Sequence, residues 1–243
     1  MTVTNAQSGT SIVEIERGIW RISTPLPPEM LPGGFTMNQF LVVDDEPLLF
    51  HTGPRAMFPL VREAIEHVMP IAKLRWISYS HVESDESGAL EDLLALAPAA
   101  RPLCGRIGGM IGSAPEMRVV GDGETFSIGS RELVWLDTPH MPHGWDAGVL
   151  FDATTRTLFC SDIFTQPGAE HSPVTDGDVF AASEPMRKMM GYMPASLETS
   201  RHLERLAAME PAVLACMHGS SFRGSGMGIL RELAGVIERE ARS

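Results

Sequence analysis

SYSHVESDESGALE (residues 78–91) sets His81, Glu83, Asp85 and Glu86 directly behind an apolar run. Residues two apart point to the same side of an extended backbone, so the spacing predicts that His81, Glu83 and Asp85 face one point in space. The pattern reads as a comb of metal ligands placed where a strand, LRWISYS (74–80), ends and a helix from about Gly88 to Leu96 begins.

Working outward, RAMFPLVREAIEHVM (55–69) repeats apolar residues at Phe58, Val61, Ile65 and Val68, a helical spacing. Before it, SIVEIERGIWRI reads as a hairpin turning at Gly18, and FTMNQFLVV and PLLFHTG as two strands split by the acidic turn DDEP. After the comb, RPLCG is a short strand. GRIGGMIG is rich in glycine but lacks the Lys of a phosphate-binding loop, so it is not read as a nucleotide site. Short strands fill 117–137, GVLFDA and TLFCSD form another pair, and TQPGAEHSPVTDGDVFAASEP (165–185) has the composition of a long loop bordering the site. A helix from Ser196 to Met209, the strand AVLACM and a helix from Met227 to about Glu240 follow. This order predicts one α+β domain over 1–243, with two similar halves and helices outside packed sheets.

The chain carries 31 acids against 19 basic residues, a net charge of −12, which argues against nucleic acid or an anionic membrane as partner. No run approaches the roughly 20 apolar residues that cross a bilayer, and the N-terminus MTVTNAQSGTS lacks the pattern of a secretory signal, so a cytoplasmic protein is expected. Cys104, Cys160 and Cys216 are far apart and form no CxxC pair, which suggests neither a disulfide framework nor a structural zinc site.

Histidines and acids recur at the ends of other apolar runs: His140 and His143 in LDTPHMPHGWD, Asp162 in LFCSDIF, and His218 in LACMHGS. With these residues in order, the chain resembles the metallo-β-lactamase fold, whose members carry HxHxDH, then His, Asp and His at strand ends. It is closer to the flavodiiron branch and its stand-alone oxygen-binding diiron relatives, whose comb is HxExDH. The resemblance extends through VVGDGETFSIGSRELVWLDTP and HGWD, the latter similar to the family's HWPD. It implies a four-layer αββα sandwich with two mixed sheets. It also implies two iron ions, with His81, Glu83 and His143 on one, Asp85 and His218 on the other, and Asp162 bridging. A carboxylate at position 83 favours iron or manganese over zinc, because hard oxygen donors suit those ions. Where the family comb ends in His this chain has Glu86, which reads either as a further ligand or as an acid favoured by the first turn of a helix.

Among the other residues, His140 competes with His143, and HGWD favours His143, leaving His140 as a supporting donor or a loop residue. His51 reads as a core histidine or a support for the ligand loop, and His171 as a solvent residue or part of the site's mouth. Met186, Met189, Met190 and Met193, beside Tyr192, recur at near-helical spacing and suit core packing, a gas-accessible lining or a dimer surface.

The resemblance implies a protein that binds, and in its larger relatives reduces, dioxygen or nitric oxide. No flavodoxin module and hence no FMN site is expected here, so electrons would come from a separate donor; a homodimer is expected from the relatives. Two alternatives stay open. One is a binuclear metal-dependent hydrolase of esters, lactones or thioesters on the same fold, with zinc or manganese as the other metals considered besides iron; the other is an oxygen sensor that binds without consuming.

Overall fold

A computed structural model describes residues 1–31, 33–112 and 116–243 and places two twisted sheets face to face. The first is built in chain order from β1 (Thr2–Asn5), β2 (Thr10–Glu16), β3 (Ile19–Leu26), β4 (Phe35–Val42), β5 (Leu48–Phe50), β6 (Trp76–Ser78), β7 (Arg101–Gly105) and β8 (Arg118–Val120). Its strands run antiparallel up to β5 and parallel from β5 to β8.

The second sheet comprises β9 (Thr125–Ser127), β10 (Glu132–Asp137), β11 (Gly148–Asp152), β12 (Thr157–Phe159), β13 (Val174–Thr175), β14 (Val213–Ala215) and β15 (Ser221–Arg223). They lie in the order 13-15-14-12-11-10-9, with β12 and β14 parallel. Seven α-helices are found among the described residues: α1 (Phe58–Val68), α2 (Ser84–Ser87), α3 (Leu90–Leu96), α4 (Arg106–Ile111), α5 (Val179–Met190), α6 (Leu197–Ala207) and α7 (Gly226–Ala241).

Alternation along the strands sorts the apolar residues into layers. Phe40, Leu48 and Phe50 point inward to meet Phe159, Leu150 and Trp135 of the other sheet. Their strand neighbours Leu41 and Leu49 point outward to Val61, Ala64 and Ile65 of α1 and Leu90 and Leu93 of α3. On the far side, Val149, Phe151 and Leu214 pack under Leu203 and Leu206 of α6 and Leu230, Leu233 and Ile237 of α7. The result is the αββα order that the family resemblance implied. Helices α6 and α7 start on serine caps, with Ser196 accepting from the Thr199 N–H at 3.0 Å and Ser225 from that of Gly228 at 3.3 Å.

Two readings of the sequence need correction. The segment 165–185 is not one loop: Asp178 caps the N-terminus of α5, accepting from the Ala181 N–H at 2.9 Å, and the helix continues through Pro185 to Gly191, whose φ of 59° ends it. The ligand comb is not extended throughout: Glu83 has extended dihedrals, and the chain then turns into α2. The distant cysteines 160 and 216 are neighbours in space on the paired ends of β12 and β14, with Sγ atoms 3.7 Å apart. Both are buried in the layer under α6 and α7. No described helix is long and apolar enough to cross a membrane.

Candidate metal centre

Every member of the predicted constellation sits just past the C-terminal end of a strand. His81 follows β6, and Glu83, Asp85 and Glu86 start α2 behind it; His143 follows β10, Asp162 follows β12 and His218 follows β14. Both sheets therefore deliver donors to one rim of the sandwich. Two of the histidines are followed by glycines in the left-handed region, Gly144 at φ 78° and Gly219 at φ 91°. A side chain at Gly144 would approach Asp146 Oδ1 at 3.1 Å, and one at Gly219 would strike the Gln166 side chain. Both turns need a residue without Cβ.

The imidazole Nε2 atoms all turn to Asp162. Its Oδ2 lies 3.2 Å from His143 Nε2 and 3.8 Å from His81 Nε2, and its Oδ1 lies 3.0 Å from His218 Nε2. Glu83 reaches His81 at 3.1 Å and His143 at 3.5 Å, while Asp85 reaches His218 at 3.5 Å. Glu86, 1% exposed, lies 3.8 Å from His81, and neither of its oxygens has a hydrogen-bond partner among the described residues. The donors form three groups whose atoms lie within 4.8 Å of one another: His81, Glu83 and His143; His81, Glu86 and Asp162; Asp85, Glu86 and His218. The first brings His81, Glu83 and His143 together, and Asp162 lies among the three imidazoles. Because α2 is helical, Asp85 and Glu83 turn to opposite sides of the cluster and Glu86 falls between them.

Electrostatics describe a nest of acids that lacks positive charge. Burial pushes the Glu86 carboxyl well above the usual carboxylate range, and the nearby Asp162 and Asp85 add to the shift. Burial opposes ionisation of Asp162 too, but hydrogen bonds from His143 and His218 outweigh it and hold that group well below the usual range. Its hydrogen bond to Asp162 raises His143, and the same partner raises His218 against the effect of burial. Four carboxylates and three imidazoles on one rim carry the charge that two dications would neutralise. The unpartnered oxygens of Glu86 are what such ions would satisfy. The residues fit a binuclear metal site.

Supporting contacts orient the rings. His218 Nδ1–H donates to Thr36 O at 2.7 Å, leaving the Nε2 lone pair for the site, and Phe35 stacks on that ring at 4.2 Å. Ser80 Oγ lies 2.9 Å from His81 Nδ1, 3.1 Å from His51 Nε2 and 2.8 Å from Ser161 Oγ. A hydroxyl accepts twice and donates once, so the arrangement closes if both rings donate to Ser80 and Ser80 donates to Ser161. Burial pushes His51 down to about 3, which keeps it neutral. His51 at φ 66° and Ser161 at φ 54° hold left-handed backbone, a cost of about 1–3 kcal/mol each that brings two strand ends onto Ser80. His51 is therefore both a core histidine and a support for His81.

Tyr192 OH donates to Asp162 O at 3.2 Å, and its ring stands 6.3 Å from that of His143. With Phe35, Met186 and Met190 it forms the apolar side of a cavity of about 170 Å³ over the donors. Two histidines lie outside the cluster. His140 is exposed, and its backbone, not its ring, closes the turn by donating to Gly144 O. His171 lines a different cavity and takes no part in the mouth. Sequence reasoning missed Ser80, Ser161, Thr36 and Asp146, whose Oδ2 accepts the Val82 N–H at 2.7 Å and steadies the comb. Only Asp146, inside HGWD, carried a signal that could have found it.

Residues 35–219 match the model of the ODP family beta lactamase. The chain is 27% identical over 205 residues to the rubredoxin-oxygen oxidoreductase of Megalodesulfovibrio gigas, covering 80% of this chain and 51% of that protein. It is 28% identical over 140 residues to the anaerobic nitric oxide reductase flavorubredoxin of Salmonella arizonae, covering 55% and 29%. Among solved structures, rubredoxin oxygen:oxidoreductase from Desulfovibrio gigas superposes with a TM-score of 0.80 at 24% identity over 93% of this chain and 62% of that one. A metal-soaked flavodiiron core from Synechocystis gives 0.83 at 18% identity over 96% and 62%. These likenesses establish the sandwich fold, and the chain spans about half or less of the length of the curated relatives it matches.

Proposed function

The chain belongs to the ODP family of β-lactamase-fold proteins, and on that premise we propose that it holds two iron ions and acts on dioxygen or nitric oxide with electrons from a separate donor. The carrying observation is the donor set, in which Glu83, Asp85, Glu86 and Asp162 meet the Nε2 atoms of His81, His143 and His218 within 4.8 Å groups. So many hard oxygen donors favour iron or manganese over zinc. A ferrous pair, when bound, supplies electrons to a small oxidant.

The protein's own residues prepare the site. Thr36 and Ser80 fix the His218 and His81 tautomers, and Asp162 stays ionised between the rings. The side chains of Phe35, Met186, Met190 and Tyr192 give the cavity an apolar wall that admits a small uncharged gas and disfavours a polar ester. Exposed Met190 at this mouth and its neighbour Met189 support a homodimer or donor contact there, and light scattering tests the dimer.

Anaerobic loading with ferrous ion, followed by elemental analysis and exposure to dioxygen or nitric oxide with an artificial electron donor, tests the reading. About two irons per chain and consumption of one gas are expected, and reversible binding without consumption would make the protein a sensor. A colourless zinc form that hydrolyses a thioester, with no reaction of the iron form, would overturn it. Glu83→Ala is expected to lose at least one metal equivalent, because Glu83 sits against both His81 and His143.

A further inference from the structure

A second cavity, of about 400 Å³, opens beside the first and contains none of the metal donors. Its floor is the inner face of β2, β3 and β4 near their ends. In the β2–β3 register Ser11 lies opposite Ser23 and Val13 opposite Arg21, so Arg21, Ser23 and Ser11 share one face. Loop residues Glu170, His171 and Ser172 close the other side.

Arg21 is the anomaly. It is 3% exposed, its Nη2 donates to Gly219 O at 2.8 Å, and its Nε is buried with no hydrogen-bond partner among the described residues. None of the carboxylates among those residues forms an ion pair with it, and Glu170, the acid on the cavity lining, is turned to solvent. A buried cation normally acquires a counterion, since removing it from water is unfavourable unless an opposite charge and hydrogen bonds replace the solvent. Burial pushes its guanidinium down to about 10. The hydroxyls of Ser11 and Ser23 make no hydrogen bond among the described residues and stand on the same face. A guanidinium fork flanked by hydroxyl donors is the pattern that binds the oxygens of a carboxylate or phosphate.

We propose that this cavity is a site for a small oxyanion, a carboxylate or phosphate, held by Arg21 with Ser11 and Ser23. It is separate from the metal centre but shares a wall with it. Thr36 lines the cavity, accepts from the Gly219 N–H through Oγ and from His218 through its carbonyl, while Arg21 holds Gly219 O. An anion there touches the frame that positions His218. The proposal does not depend on the identity of the metal.

Calorimetric titration of the metal-loaded protein with inorganic phosphate, and in a separate arm with acetate, tests it. Binding of at least one anion is expected, weakened roughly tenfold or more by Arg21→Gln through loss of the charge-assisted bonds. The Ser11→Ala/Ser23→Ala double variant keeps the guanidinium and is expected to weaken the same anion severalfold; it decides the matter if Arg21→Gln does not fold. The arm that responds tells phosphate from carboxylate. Heat from neither anion overturns the proposal. So does binding that is unchanged in the serine variant but lost in Glu83→Ala, which would place the anion on the metals.

Discussion

A carboxylate with both oxygens buried and without partners, as Glu86 has, is tolerable only when protonated or when a cation lies against it. Its folded-state pKa is raised, so in the metal-free protein its contribution is fully present below about 4.3 and is lost as pH rises through the folded value. Glu86→Gln is therefore expected to stabilise the metal-free protein at neutral pH, by about 1–3 kcal/mol, the usual cost of an unsatisfied buried polar group, while weakening binding of at least one ion. Calorimetry of chelated and loaded samples checks both signs, and equal metal affinity would make Glu86 a bystander. At this scale the sequence left Glu86 between ligand and first-turn acid because burial is not written in a residue's type. Ser80 and Thr36 were invisible for a related reason: one hydroxyl and one carbonyl look like any others until folding brings His51, Ser161 and His218 against them.

At the scale of elements, periodicity carried the reading. The alternation of Phe40 with Leu41 and of Leu48 and Phe50 with Leu49 separates the inter-sheet layer from the one under α1, and Phe159 closes the first from the opposite sheet. Phe159 stands 5.6 Å from the Phe40 ring and 5.3 Å from that of Phe50. Phe159→Ala is expected to cost about 3–5 kcal/mol, measured by denaturant unfolding of the loaded protein, and to loosen the strand end that carries Asp162. A loss below ~1 kcal/mol would mean that the layers close over the gap. Pattern reading failed where it yields to hydrogen bonding. Polar, proline-containing composition hid α5, which is started by the Asp178 cap, and two-residue spacing made the comb look extended where the chain turns into α2.

Taken whole, the molecule gathers its donors from both sheets: His81 and the acids of α2 hang from the first, His143, Asp162 and His218 from the second. Ions at that rim tie the two halves together, so chelation is expected to lower Tm, and the gap between loaded and metal-free protein should widen as pH rises. In the metal-free form, raised His143 and His218 contribute stability that is complete below about 6.5 and is lost as pH climbs through their folded values. Depressed Asp162 contributes above about 3.9 and fails only as pH falls through its lower folded value. Protons leave the imidazoles when ions bind, so the loaded form gains in the direction in which the metal-free form loses. Thermal melts from about pH 5 to 8 read this directly, and parallel curves would refute it. The fold was legible because strand ends repeat the same residue types in order, whereas the joining of two halves at one edge depends on contacts between residues as remote as Thr36 and His218.

The order of those donors along the polypeptide has a consequence for biogenesis. His81 to Glu86 leave the ribosome early, whereas His218 emerges with β14, only shortly before α7. A nascent chain thus exposes an incomplete, weakly chelating half until β14 has been made, so tight chelation waits on a chain that already holds both sheets.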